Sequence, residues 1–152
     1  MNLYLDNCCY NRPFDGYTND RTTDEVTAIK AIVAICEAAG YTIFGSPAVI
    51  MELNKTQRLK PEKWALMLDF YKRTVNSHIE LTPEITVRAQ GFMKVWPQET
   101  DCYHLALAEA AGVDVLLTTD DRFENANARL NLSIVNVMNP INFLPEVEKW
   151  AQ

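Results

Sequence analysis

The sequence lacks the features that would place it in several large classes. No apolar run approaches the ~20 residues a membrane-spanning helix needs. The opening MNLYLD carries no basic stretch and meets a carboxylate at Asp6, so it does not read as a secretion signal. Histidine is scarce: His78 and His104 are the only two, and neither stands at ligand spacing, so a structural zinc site is not expected. The four cysteines form no disulfide framework, since Cys8 and Cys9 are adjacent while Cys36 and Cys102 fall in helical patterns. Reduced thiols of a cytoplasmic protein are the expectation. There is no phosphate-binding glycine loop, serine elbow, internal repeat or low-complexity linker. Positive charge is also short. With 14 Lys and Arg against 20 Asp and Glu, the net charge of −6 weighs against broad electrostatic binding of nucleic acid. Acidic ligands gathered around divalent cations would carry much of that charge and invert the local field.

What is present is the composition of a globular chain, 48% hydrophobic and 22% charged, and its 152 residues suit a single domain spanning 1–152. Short apolar strands are expected at residues 3–5, 41–44, 77–81, 113–117 and 133–137. Residues 7–21, rich in Asn, Asp, Pro and Gly, read as a loop. Thr22 and Glu25 have capping-box spacing, and Val26, Ile29, Val33 and Cys36 form the apolar face of a helix closed by Gly40. Ser46-Pro47, Lys60-Pro61, Thr82-Pro83 and Asn139-Pro140 each open a helix with proline at its first position. The helix from Lys60-Pro61 buries Trp64, Met67, Leu68 and Tyr71, that from Thr82-Pro83 runs to about Val95, and Pro97 separates it from the next. A polar helix is expected at 122–129. Strands alternating with helices predict an α/β fold, a three-layer α/β/α sandwich around a mostly parallel central sheet.

The stretch 99–123, ETDCYHLALAEAAGVDVLLTTDDRF, organises the chain. Asp101 stands at a helix start, and Leu105, Ala108 and Ala111 follow at three- and four-residue steps. Gly112 supplies the stop, a residue free to take positive φ. The strand that follows is apolar on both faces apart from Asp114, and Thr118-Thr119-Asp120-Asp121 lies at its carboxyl end, the edge where open α/β sheets bind ligands.

Four carboxylates stand where element ends should meet: Asp6 after the first strand, Glu52 in the helix after the second, Asp101 at a helix start and Asp120 after the penultimate strand. Magnesium or manganese takes hard oxygen ligands of this kind, and two such ions can activate a water and stabilise a leaving oxygen. Each residue also has a plainer role: Asp101 as a charge facing the helix dipole, Asp120 as a loop or cap residue, Glu52 on the wet face of an amphipathic helix, and Asp6 as a strand-end polar group.

The order of Asp6 after LYL, Glu52 in VIMEL, Asp101 in ETDCYHLALAEAAGVDVLLTTD and Asp120 in TTDDRF resembles the PIN-domain nucleases, which include the VapC-like toxins of bacterial toxin–antitoxin pairs. The likeness spans residues 3 to about 144 and is most specific at 101–123. It implies a magnesium- or manganese-dependent endoribonuclease with Asp6, Glu52, Asp101 and Asp120 as the metal-binding, catalytic quartet. By position, Thr118 matches the family's threonine and Asn7 the polar residue after the first aspartate. Asp121 is an extra carboxylate beside the quartet. The resemblance further implies an RNA substrate, a small antitoxin partner and a homodimer.

The run CCYNRPF departs from the simplest toxins, which continue there with small or apolar residues. Within it Arg12 has two candidate roles, contact with a substrate phosphate or pairing with a neighbour such as Asp15. Lys55 and Arg58 have the same two. His104, one turn from Asp101, has two candidate roles, contact with the site or a satisfied place on the helix surface, the second being the expectation, and His78 has no evident partner. Two rival readings differ in chemistry. A catalytically weak PIN-like module would bind RNA or protein without cutting, at the cost of four gathered charges. A haloacid-dehalogenase-type phosphohydrolase would need an aspartate two residues after the first, where Cys8 stands.

Overall fold

The computed structural model describes residues 1–16 and 18–152; Tyr17, within the expected loop, lies outside them. Strand β1 (Asn2–Leu5) is followed at once by helix α1 (Asn7–Asn11) and a 3-10 turn (Arg12–Phe14). The expected loop at 7–21 is therefore largely helical. Its polar composition hides two buried residues, Cys9 and Tyr10, and burial of that pair is what orders a helix too short to stand alone.

Helix α2 (Asp20–Ala39) begins before the anticipated Thr22 cap, because Asn19 Oδ1 accepts the Thr22 N–H at 2.8 Å. Glu25 is consequently interior to the helix and buried, not the far half of a capping box. Gly40 ends α2 in the left-handed region at φ 71°, as the sequence predicts.

Strand β2 (Thr42–Gly45) leads into α3 (Pro47–Leu59), capped by Ser46, whose Oγ accepts the Val49 N–H at 3.3 Å. Helix α4 (Pro61–Thr74) then buries Met67, Phe70 and Tyr71. Strand β3 (Ser77–His78) is shorter than expected, and α5 (Pro83–Met93) starts under the Thr82 cap. Helix α6 (Glu99–Ala110) carries Asp101 in its first turn. Strand β4 (Val115–Leu117) begins later than predicted, since Asp114 turns out to solvent and its carboxylate accepts the Asn2 N–H at 2.8 Å. Helix α7 (Asp121–Leu130), strand β5 (Asn136–Met138) and helix α8 (Pro140–Trp150) complete the chain.

The five strands form one parallel sheet in the order β3-β2-β1-β4-β5. Helices flank it in an α/β/α arrangement, α2 packing on α8, α3 on α4 and α5 on α6. Both central strands are sealed: Leu3, Tyr4, Leu5, Leu116 and Leu117 are fully buried, as a parallel sheet covered on two faces requires. Beside β1 the winding reverses, β2 lying on one side and β4 on the other. Connections leaving β1 and β4 therefore diverge and open a crevice at their carboxyl ends. The register pairs Leu5 with Leu117, so Asp6 and Thr118 emerge at the same level.

At the end of β2 the chain passes so close to α4 that only glycine fits. A Cβ on Gly45 would lie 2.0 Å from Tyr71 Oη and 2.9 Å from Val75 Cγ1.

Candidate active site

Asp6 is the first residue past β1 and is 6% exposed. Its N–H donates to Leu117 O at 3.1 Å, which fixes its backbone to the end of β4. Although it precedes α1, its carboxylate caps no helical N–H; it accepts from the Cys8 thiol instead. Burial raises the Asp6 carboxyl well above the usual carboxylate range, and the Cys8 charge adds to this, while His104 and Thr118 pull the other way. Burial also opposes a Cys8 thiolate, but hydrogen bonds from Cys9, Asp6 and Thr119 outweigh it and bring that thiol down to about 6.

Asp101 accepts from Trp96 Nε1 at 3.2 Å. Its carboxyl is raised by burial first; Trp96 and His104 lower it, and the nearby charges of Asp120 and Glu52 raise it further. Three carboxylates from three elements thus share one electrostatic environment. Asp120 is the N-cap of α7, its Oδ1 accepting the Arg122 N–H at 3.0 Å, and its own N–H donates to Thr118 Oγ1 at 3.1 Å.

Glu52 is held by His104, whose Nε2 bonds Glu52 Oε1. His104 is not on a helix surface: it is 1% exposed, and its Nδ1 lies 2.6 Å from Tyr4 Oη, which lies 2.6 Å from Ser46 Oγ. One assignment satisfies every atom. The Val49 N–H donates to Ser46, Ser46 to Tyr4, Tyr4 to His104 Nδ1, and His104 Nε2–H to Glu52. A buried relay therefore runs from the cap of α3 through β1 and α6 back to the Glu52 carboxylate. The signal for it was present in sequence. Helix α6 is apolar nearly all round from Cys102 to Ala108, and such a helix is interior, so a histidine within it must find partners.

The remaining candidates divide. Thr118 is buried and holds the turn to Asp120. Asn7 follows Asp6, and its Oδ1 is buried with no partner among the described residues. Arg12 reaches the same sheet edge, donating to Thr119 Oγ1 at 2.9 Å, yet its guanidinium also pairs with Asp15 at 3.4 Å and with buried Glu25 at 3.3 Å. Asp121 is half exposed in a two-pronged pair with Arg21 at 2.6 and 2.8 Å that lowers its pKa. Lys55, Arg58 and His78 are exposed.

The sequence matches the PIN domain family over residues 18–128, most of the chain. The chain belongs to the PIN domain family. The match takes in Glu52, Asp101 and Asp120 and begins after β1, so Asp6 lies ahead of it. A chain in the crystal structure of VapBC2 from Rickettsia felis bound to a DNA fragment from their promoter has a similar fold, with a TM-score of 0.65. The alignment covers 91% of this chain and 98% of that one at 16% identity. No curated protein sequence matches the chain.

The carboxylate oxygens of Asp6, Glu52, Asp101 and Asp120 are donors of the kind a hard divalent cation takes, while among the described residues the only group of three or more candidate ligand atoms within 4.8 Å of one another is Asp6, Cys8 and Cys9. Asp6 is buried and Asp101 half-buried, and among the described residues no lysine or arginine pairs with Asp6, Glu52 or Asp101, whereas Asp120 lies 3.6 Å from Arg122 Nε. Gathered carboxylates without a counter-charge are costly, and a hard cation supplies that charge.

Proposed function

We propose that this PIN domain is a magnesium- or manganese-dependent endoribonuclease, acting as the toxin of a toxin–antitoxin pair. The observation that carries this reading is buried Asp6 at the point where the sheet reverses its winding, together with Asp101, whose carboxyl is raised by burial and by the charges of Asp120 and Glu52. Asp6, Glu52, Asp101 and Asp120 would hold one or two ions. Such an ion lowers the pKa of a water and offsets charge on the leaving oxygen of a phosphodiester.

The chain's own groups do the rest. The Ser46–Tyr4–His104 relay orients Glu52, Trp96 orients Asp101, and Thr118 shapes the turn that presents Asp120. The unpaired Asn7 Oδ1 and Arg12 are the nearest substrate-binding candidates, Arg12 on release from Asp15. Asp121 stays outside the ion-binding set while paired with Arg21. RNA is taken as the substrate from the family resemblance.

A partner that silences the site is supported by two findings. The fold resembles a chain of a VapBC complex. A groove of about 370 Å³ also opens beside Glu52, lined by Met51, Lys55, Leu81, Tyr103 and Leu107. Met51 and Leu81 are 67% and 49% exposed, apolar surface suited to an inserted segment. Self-association belongs to the same reading and predicts scattering mass above the 17.3 kDa of one chain. Among the described residues no helix is long and apolar enough to cross a membrane; the four unpaired cysteines support action in the cytoplasm.

One observation favours a binding module without catalysis: each of the four carboxylates already has a hydrogen-bond partner within the chain. Incubation with labelled single-stranded and structured RNAs separates the readings. Cleavage that requires manganese or magnesium and is lost in Asp101→Asn supports the nuclease. Binding of RNA or an antitoxin-like partner with no metal-dependent cleavage supports the module.

A further inference from the structure

Two sulfur atoms stand beside the acidic quartet, and the nuclease reading uses neither. Because α1 starts directly after Asp6, its first turn folds back over the Asp6 carboxylate. The Sγ atoms of Cys8 and Cys9 and a carboxylate oxygen of Asp6 all lie within 4.8 Å of one another. Cys8 donates to Asp6, its sulfur accepts the Thr119 N–H at 3.1 Å, and it lies 3.6 Å from Thr118 Oγ1. Cys9 Sγ sits 3.4 Å from Leu117 O. Both sulfurs therefore lie against the carboxyl end of β4, Cys8 half-buried and Cys9 fully buried.

Thiolates are soft ligands that select zinc-class ions over magnesium and manganese, and zinc accepts mixed sulfur and carboxylate sets. Three protein donors leave a fourth position open, the pattern of an exchangeable ion and not of a closed structural site.

We propose that Asp6, Cys8 and Cys9 form a thiophilic cation site that takes a zinc-class divalent ion and shares the Asp6 carboxylate with the magnesium or manganese site. Binding releases the thiol protons to water. An ion held there draws Asp6 out of the quartet, so zinc opposes loading of the hard cation. The sharing rests on the nuclease reading; the soft site itself does not.

The test uses cadmium as the probe, because cadmium–thiolate bonds give an ultraviolet charge-transfer band. Metal-free full-length protein is titrated alongside Cys8→Ser, Cys9→Ser, Asp6→Asn and a Cys36→Ser/Cys102→Ser control, with far-ultraviolet circular dichroism confirming that each is folded. The expected result is a band saturating at one ion per chain in the wild type and the control. Affinity should fall by more than about tenfold in the other three. A wild type without the band, or a Cys8→Ser protein that keeps wild-type affinity, overturns the site.

Bound manganese, followed by its electron paramagnetic resonance, is then challenged with cadmium. Displacement supports the shared carboxylate, and simultaneous binding of both ions overturns it. A protein that binds cadmium through Cys8 but no manganese refutes the nuclease reading and the sharing with it, leaving the soft site established.

Discussion

Tyr4→Phe isolates the relay behind Glu52. The ring of Tyr4 is fully buried and meets His104 edge-on, with centroids 5.5 Å apart, so phenylalanine keeps the packing and removes only the hydroxyl. His104 Nδ1, itself buried, then has no donor, and Ser46 loses its acceptor. An unpaired buried polar group costs about 1–3 kcal/mol. No longer burying the tyrosine hydroxyl offsets part of a second loss, so a net cost of about 1–3 kcal/mol is expected. For a chain of this size each kcal/mol lowers Tm by about 2–4 °C, giving a fall of about 2–12 °C in thermal unfolding followed by circular dichroism. The His104 ring loses one of its two anchors, and Glu52 with it. The variant should therefore bind manganese more weakly and cleave RNA with kcat reduced by about tenfold or more, while KM for RNA changes little. Adding Ser46→Ala closes a double-mutant cycle, in which coupled groups should depart from additivity by about 0.5–3 kcal/mol. A Tyr4→Phe protein within about 1 °C of the parent, with unaltered manganese affinity, would show that the relay neither stabilises the fold nor positions Glu52.

Other consequences concern charge and close packing. Asp6 and Asp101 both have raised carboxyl pKa values, burial being the first cause. Such groups favour the folded state when protonated, and this contribution disappears as pH rises through the raised folded value. Metal-free protein should lose stability as pH rises above the ordinary carboxylate range of about 4, read below about pH 6 because the Cys8 thiol, lowered to about 6, adds stability above that pH; manganese should restore the loss, and a metal-free Tm that climbs between about pH 4.5 and about pH 6 contradicts the account. Asp6→Asn or Asp101→Asn should raise the neutral-pH Tm of metal-free protein and abolish the further rise with manganese, both read by differential scanning calorimetry. Asp121→Ala, which removes an exposed partner of Arg21, should leave manganese affinity by calorimetric titration within about twofold and stability within about 1 kcal/mol; a tenfold loss of affinity would place Asp121 among the ligands. Gly45→Ala must push the buried Tyr71 ring aside and should cost about 1–3 kcal/mol in urea unfolding.

Local rules made much of the chain legible in advance. Ser46-Pro47, Thr82-Pro83 and Asn139-Pro140 open helices because a side-chain oxygen two or three residues ahead of an N–H satisfies it whatever the rest of the protein does. Gly40 and Gly112 end α2 and α6 because each takes positive φ, 71° and 68°, at no steric cost. The positions of Asp6, Asp101 and Asp120 at element ends, and of Glu52 within the helix after β2, followed from the same short-range patterns, and so did the alternation that makes the sheet parallel.

Tertiary structure decided which of those carboxylates stand on one sheet edge: the reversal of winding puts β4 beside β1 and brings Asp120 to the end of the strand next to the one that carries Asp6. The helical character of residues 7–14 likewise depends on distant chain: Tyr10 packs against Phe70 and Tyr71 of α4, at centroid distances of 5.6 and 5.2 Å. His104 changed from an expected surface residue to a buried link because β1 and α3 enclose it with Tyr4 and Glu52, partners 100 and 52 residues away. The Arg12–Glu25–Asn139 cluster arose in the same manner, with Asn139 donating to Glu25 at 2.7 Å across 114 residues. A cap or a glycine stop is a contract among residues within one turn and is written in the local sequence. A buried polar partnership depends on which elements the sheet order brings together, and that becomes definite only once the whole chain has packed.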